Sequence, residues 1–143
     1  MATFEEFRFR IGSAASRFQF LEEGLKIHLD VCFEIVRRNI QGKLEFRYGD
    51  KDLRNKSLRP LINLFGKYST NEDLIKRLKD LQDDRNYIAH QAYVMIAAPT
   101  KPQEMEHELE RIKRIDAAVD EVVLMLMEET KKVMKMLTNS ESP

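Results

Sequence analysis

Arg85-Asn86-Tyr87-Ile88-Ala89-His90 is the stretch whose residue types and spacing are suited to chemistry. An imidazole takes or gives a proton near neutral pH, so His90 can serve as general base or acid on a ribose hydroxyl. A guanidinium presents a fork of donors that fits a phosphate and stabilises charge building on its oxygens, the role open to Arg85. Asn86 stands one helical turn before His90, where it can orient the imidazole or bond a ribose. Together these groups suit cleavage of RNA without a metal. One histidine per chain is thin for acid–base work, and two chains meeting across this face would supply two.

The element that must position them is a helix. Leu74, Leu78, Leu81, Arg85, Ile88, Ala92 and Met95 step by four and three along the chain, and Arg85 breaks an otherwise apolar seam. With Arg85 at zero and about 100° per residue, Asn86 falls at about 100°, His90 at about 140° and Tyr93 at about 80°. The polar groups therefore share an arc, and Arg85 lies at its edge, turned toward the packed side. A partly buried arginine needs an anion, and Asp83, Asp84 or an RNA phosphate could supply it. The Arg-to-His spacing alone carries little weight in a chain with 12 Arg and three His. The weight lies in the conjunction of seam position, the following Asn and mid-helix placement. His28 is expected as a hydrogen-bonded group at the core edge, and His107, amid Glu104, Glu106 and Glu108, as plain surface.

The remaining elements also read as helices. Apolar residues recur from about Ser13 to Ile40 at Phe18, Leu21, Leu25, Leu29, Cys32 and Val36. Residues 41–56 carry Gly42, Gly49, Asp50 and Asn55 and read as a long connection. A short helix over Leu58–Phe65 follows, capped by Ser57 and closed by Gly66. Ser69 and Glu72 match a capping box for the motif-bearing helix. Pro99 and Pro102 punctuate the chain, with Pro102 at the first position of a last helix of roughly 35 residues, about 50 Å long. Such a helix would overhang a small bundle, and Met125, Met127, Met134 and Met136 near its end suit packing against a partner. The expectation is an all-α, up-and-down bundle of about four helices with a long C-terminal one. One domain spans 1–137, and 138–143 form a disordered tail.

Composition bounds the class. At 143 residues the chain can bury a core without metal or disulfide staples, and Cys32 has no second cysteine to pair with. The N-terminus lacks the apolar run of a signal peptide, and no window is long and apolar enough for a membrane, so a cytoplasmic location is expected. No Gly-rich phosphate loop is present. The net charge of zero hides an asymmetry. Residues 37–59 hold eight Lys/Arg against three acids, a net of +5, whereas 103–143 hold ten acids against six bases, a net of −4. Arg37, Arg38, Lys43 and Arg47, beside Phe46 and Tyr48, could follow an RNA backbone, or they could simply be a solvated loop.

The sextet resembles the Arg-x4-6-His motif of the HEPN superfamily (higher eukaryotes and prokaryotes nucleotide-binding). Members are all-helical bundles of similar length, with the motif on a late helix before a long terminal one and a polar residue after the Arg, here Asn86. The segment Leu58–Gly66 is similar to one that many members carry upstream. The resemblance implies a metal-independent endoribonuclease, active as a homodimer with both motifs lining one cleft and needing no cofactor. Arg85 and His90 would be catalytic and Asn86 supportive, and the products would be a 2′,3′-cyclic phosphate and a 5′-hydroxyl. Many members are toxins of toxin–antitoxin or phage-defence systems. One branch is paired with a nucleotidyltransferase-like antitoxin and has a Tyr two residues after the His. Here that position is Ala92, and Tyr93 stands one further on, as a point of modification or RNA contact that departs from the branch.

Two other readings start from different residues. A non-catalytic helical interaction module, partnering a nucleotidyltransferase or another regulator, draws on the Met-rich last helix and the uneven charge. A metal-dependent carboxylate bundle would need paired Glu-x-x-His motifs. Glu104-x-x-His107 supplies one with no counterpart, so no metal is expected.

Overall fold

The computed structural model describes residues 3–97 and 101–140. Over these the chain forms five helices and no strand: α1 (Phe4–Ile40), α2 (Asp50–Leu53), α3 (Leu58–Tyr68), α4 (Glu72–Ala97) and α5 (Pro102–Ser140). This is the all-α bundle that the periodicity predicts. None of the helices is long and apolar enough to cross a membrane, among the described residues. Pro99 and residues 141–143, the end of the expected tail, lie outside the described residues.

The core is built from three apolar stripes with steps of three and four. Phe7, Ile11, Ala14, Phe18, Leu21 and Leu25 of α1 are buried, as are Leu74, Leu78, Leu81 and Ile88 of α4. On α5 the buried stripe runs from Met105 through Ile112 and Val119 to Leu126. Such steps keep a stripe nearly parallel to the helix axis, so long helices pack side by side at shallow angles. Ser13 meets Asp116 and His28 meets Thr130, separations of 103 and 102 residues, so α1 and α5 run parallel. Helix α4 runs opposite to both: along it Asn71, Arg77 and Tyr87 meet Glu129, Glu121 and Arg111 of α5 in turn.

Several boundaries differ from those read in the sequence. Helix α1 begins at Phe4 rather than near Ser13, because Thr3 Oγ1 accepts from Glu6 N at 3.0 Å and Phe7 and Ile11 extend the stripe. At 37 residues α1 nearly matches the 39 of α5 and runs beside it, yet no described residue of α5 beyond Leu126 is buried, and Met134 and Met136 are exposed on this last stretch. Gly42, at φ +82, makes the turn that ends α1, a conformation that side chains with a Cβ resist. The expected connection contains α2, held by Gly49 N donating to Asp52 Oδ2 at 2.8 Å and by fully buried Leu53. Helix α3 does not stop at Gly66 but continues to Tyr68, whose ring stands edge-on to Phe33 at 5.6 Å. Ser57 precedes α3 but makes no capping hydrogen bond. Helix α5 starts at Pro102 as expected and continues to Ser140, three residues into the supposed tail, with Thr138 Oγ1 donating to Met134 O at 3.1 Å.

The cap of α4 is Asn71, not Ser69. Asn71 Oδ1 accepts from Leu74 N at 3.1 Å, while Ser69 Oγ accepts from Asn71 N at 3.0 Å. Asn71 Nδ2 also donates to Glu129 Oε1 at 2.9 Å, tying the start of α4 to α5. Asn71→Ala removes both functions and is expected to cost about 1–2 kcal/mol, read as a lower urea midpoint with an unchanged slope.

Two polar residues lie in this core. Asp116, on the inner stripe of α5, accepts from Ser13 Oγ at 3.1 Å. Arg17 Nε stands 3.1 Å from its Oδ1 without the alignment of a hydrogen bond, so that contact is ionic. His28 is 2% exposed, as its place near the stripe predicts. Its Nδ1 lies 3.0 Å from Thr130 Oγ1, and that hydroxyl donates to Leu126 O at 2.8 Å. A hydroxyl has one proton, so Nδ1 is the donor to Thr130.

Burial pushes the pKa of His28 below its ordinary 6.5, and nearby Glu129 offsets this only in part. The folded state then binds fewer protons at His28 than the unfolded chain does. Its contribution to stability is full above about pH 6.5 and is lost as pH falls through that value toward the folded pKa. His28→Gln keeps a donor for Thr130 and cannot titrate. Urea midpoints of this variant are expected to vary less between pH 7 and 5 than those of the parent.

Candidate active site

Helix α4 carries the sextet in its second half, where the seam faces α1. Arg85 takes the seam slot but does not bury fully: its side chain is 42% exposed, and Nη2 lies 3.9 Å from Glu22 Oε1. The anion expected from Asp83 or Asp84 thus comes from α1 instead. Helix neighbours one and two residues apart point in different directions, so neither aspartate can reach round to Arg85. Asp83 is exposed, and Asp84 turns toward α5, where burial raises its pKa against the influence of Arg111.

Arg85 stands between two cavities. One, of about 280 Å³, opens between α1 and α4, with Phe18, Gln19, Glu22, Ile88 and Ala92 among its walls. The other, of about 70 Å³, lies between α3 and α4 and is lined by Ser57, Leu58, Arg59, Gln82, Arg85 and Asn86. Asn86 therefore shares a cavity with Arg85. It makes no hydrogen bond to His90, the role its spacing suggested, because nothing draws the two exposed side chains together.

His90 is exposed, lines neither cavity, and has no hydrogen-bond or ionic partner among the described residues. Tyr93, 71% exposed, is on the same outer side. The arc of Asn86, His90 and Tyr93 is a solvent face, with Arg85 at its inner edge as the angles predict. One chain holds one imidazole here, and no second one stands across from it.

The RNA-backbone candidates are elsewhere. Arg37, Arg38 and Arg47 line a basin of about 620 Å³ at the end of α1, while Lys43 is exposed in the turn beside it. Arg37 lies 15 residues beyond Glu22, the level of Arg85, which places the basin about 22 Å along the bundle from the sextet. Its charge is also largely matched. Glu34 pairs with both Arg37 and Arg38, and Glu45 pairs with Arg47. Arg37 Nη2 further donates to Tyr48 O at 2.7 Å, holding the loop against α1. These arginines shape a loop and are not brought to the sextet.

Glu22, Arg59 and Gln82 are neighbours of Arg85 that no sequence motif marks. Arg59 was visible only as one of eight bases in a charged segment, and nothing local linked it to a residue 26 positions away. A buttress behind the sextet is likewise unmarked in the sequence. Arg111 Cζ sits 3.7 Å above the Tyr87 ring, whose hydroxyl is buried without a hydrogen-bond partner among the described residues.

Cys32 is buried, and burial pushes its thiol up to about 11, so it is a poor nucleophile. No group of three or more His, Cys, Asp and Glu among the described residues is placed to hold a metal ion. Neither a family model, nor a curated protein, nor a solved structure matches this chain.

Proposed function

We propose that the chain is a HEPN-type, metal-independent endoribonuclease whose active site forms when two copies meet across the outer face of α4, and that it acts as a toxin or defence component. The observation that carries this reading is Arg85. A core-seam slot holds an arginine with one loose ionic contact, beside Asn86 and on the edge of a solvent face bearing an unpartnered His90. Scaffold alone gives no reason for an arginine there, since an apolar residue would pack better.

In the reaction, one His90 takes the ribose 2′-OH proton, and the 2′-oxygen attacks the adjacent phosphorus. The 5′-oxygen leaves with a proton from the other copy's His90, giving a 2′,3′-cyclic phosphate and a 5′-hydroxyl. Arg85 holds the phosphate and stabilises the charge building on its oxygens. RNA cleavage by the parent, Arg85→Ala and His90→Ala in EDTA tests this, together with growth on expression. Equal behaviour of all three, with no cleavage, would sink it.

A non-catalytic interaction module competes with this reading, on a separate observation. Phe20, Ile27 and Met127 are exposed around an apolar cavity of about 360 Å³ between α1 and α5. Hydrogen exchange on the self-associated protein separates the two. Protection over Phe20–Ile27 and Leu124–Met127, with none over the sextet, favours the module.

A further inference from the structure

We propose that the small cavity between α3 and α4 is a phosphate subsite, in which Arg59 acts together with Arg85 on a backbone phosphate of the RNA. The choice of ligand rests on the nuclease reading above. The geometry rests on the cavity itself.

Five of its six lining residues are polar and none is acidic. Two arginines from different helices wall a space of about 70 Å³, so their charges repel unless an anion lies between them. Arg85 has only the 3.9 Å contact with Glu22, and Arg59 has no ionic partner among the described residues. Gln82 and Asn86, one turn apart on α4, add amide donors. Ser57 adds a hydroxyl that makes no capping bond. Arg59 also stands in the first turn of α3, where only the N–H groups of Leu58 and Arg59 add partial positive charge, since Pro60 has none and Leu61 N donates to Ser57 O. The volume is far below the roughly 300–1,000 Å³ of pockets that take whole small molecules, which suits one small tetrahedral group. A strand held there by its phosphate runs onto the Asn86–His90 face, because Asn86 belongs to both.

The test is binding of a fluorescein-labelled 2′-O-methyl oligoribonucleotide, which has no 2′-hydroxyl to attack, with inorganic phosphate as a second probe. Arg59→Ala is expected to weaken oligonucleotide binding roughly tenfold, the usual cost of losing a charge-assisted hydrogen bond. Arg59→Lys regains part of this, and Arg114→Ala, an equal loss of charge on exposed α5, leaves it unchanged. The Arg59→Ala/Arg85→Ala pair should lose less than the product of the single effects, since both hold one phosphate. Thermal melting of Arg59→Ala should match the parent, since Arg59 is exposed.

Binding by Arg59→Ala equal to that of the parent or of Arg114→Ala overturns the subsite. Loss of phosphate binding alone, with the oligonucleotide held as before, overturns its assignment to RNA. A parent that binds with these effects yet cuts no RNA supports the subsite and removes the nuclease reading. A parent that cuts RNA while Arg59→Ala binds normally removes the subsite alone.

Discussion

Arg85→Ala and His90→Ala are each expected to lower the rate of RNA cleavage by about 10²–10⁴-fold, the range of a lost general acid–base group or a lost charge clamp. Both changes should leave the fold in place. His90 is exposed, and Arg85 is half-exposed with a single loose contact, so stability should move by about 0.5 kcal/mol or less. A fall in activity with an unchanged urea midpoint therefore reports on chemistry. Because one chain offers one imidazole on this face, specific activity should also fall on dilution as copies separate. Activity independent of concentration would mean that one chain is complete and that two copies of His90 are not the acid and base.

Phe65→Ala is expected to have the largest effect on stability, about 3–5 kcal/mol. Phe65 is fully buried, and the His28 ring packs against it at a centroid distance of 5.0 Å. With Leu58, Leu61 and Ile62 it is the apolar face that holds α3 on the bundle. That loss is a large part of the roughly 5–15 kcal/mol by which domains are stable. Urea unfolding measures it, and a change under about 1 kcal/mol would mean that α3 is anchored by something other than this ring. The functional effect also differs in kind from that of Arg59→Ala. Loosening α3 removes one wall of the Arg59–Arg85 cavity, so Phe65→Ala should lose RNA binding and stability together.

The sextet's frame is legible in the sequence because helical order is local. Side chains three and four residues apart share a face, so the steps of Leu74, Leu78, Leu81 and Ile88 predict both the helix and its buried side. The same rule marked Arg85 as an odd occupant of a seam and put Asn86, His90 and Tyr93 on one arc. Caps were less legible. Ser69 and Glu72 match a capping box, yet Asn71 takes the cap, because it alone can bond both Leu74 N and Glu129 across the bundle. The start of α1 is less legible: Thr3 and Glu6 have the spacing of a cap, but they lie well ahead of the clear stripe that begins at Phe18.

The sequence by itself determined that this is an all-helical chain, which faces of its long helices are buried, and that an arginine interrupts one of those faces. Only the tertiary structure decided what stands beside that arginine. Glu22 stands against Arg85 from 63 residues away and Arg59 shares a cavity with it from 26, while the basic residues 37–47 fall about 22 Å off along the bundle. The physical reason is that periodicity encodes the direction in which a side chain points, through bonds within one helix. Which charge waits there depends on the register of one helix against another. That register is set by the packing of Phe65, Leu81, Ile88 and their neighbours, and no local rule records it.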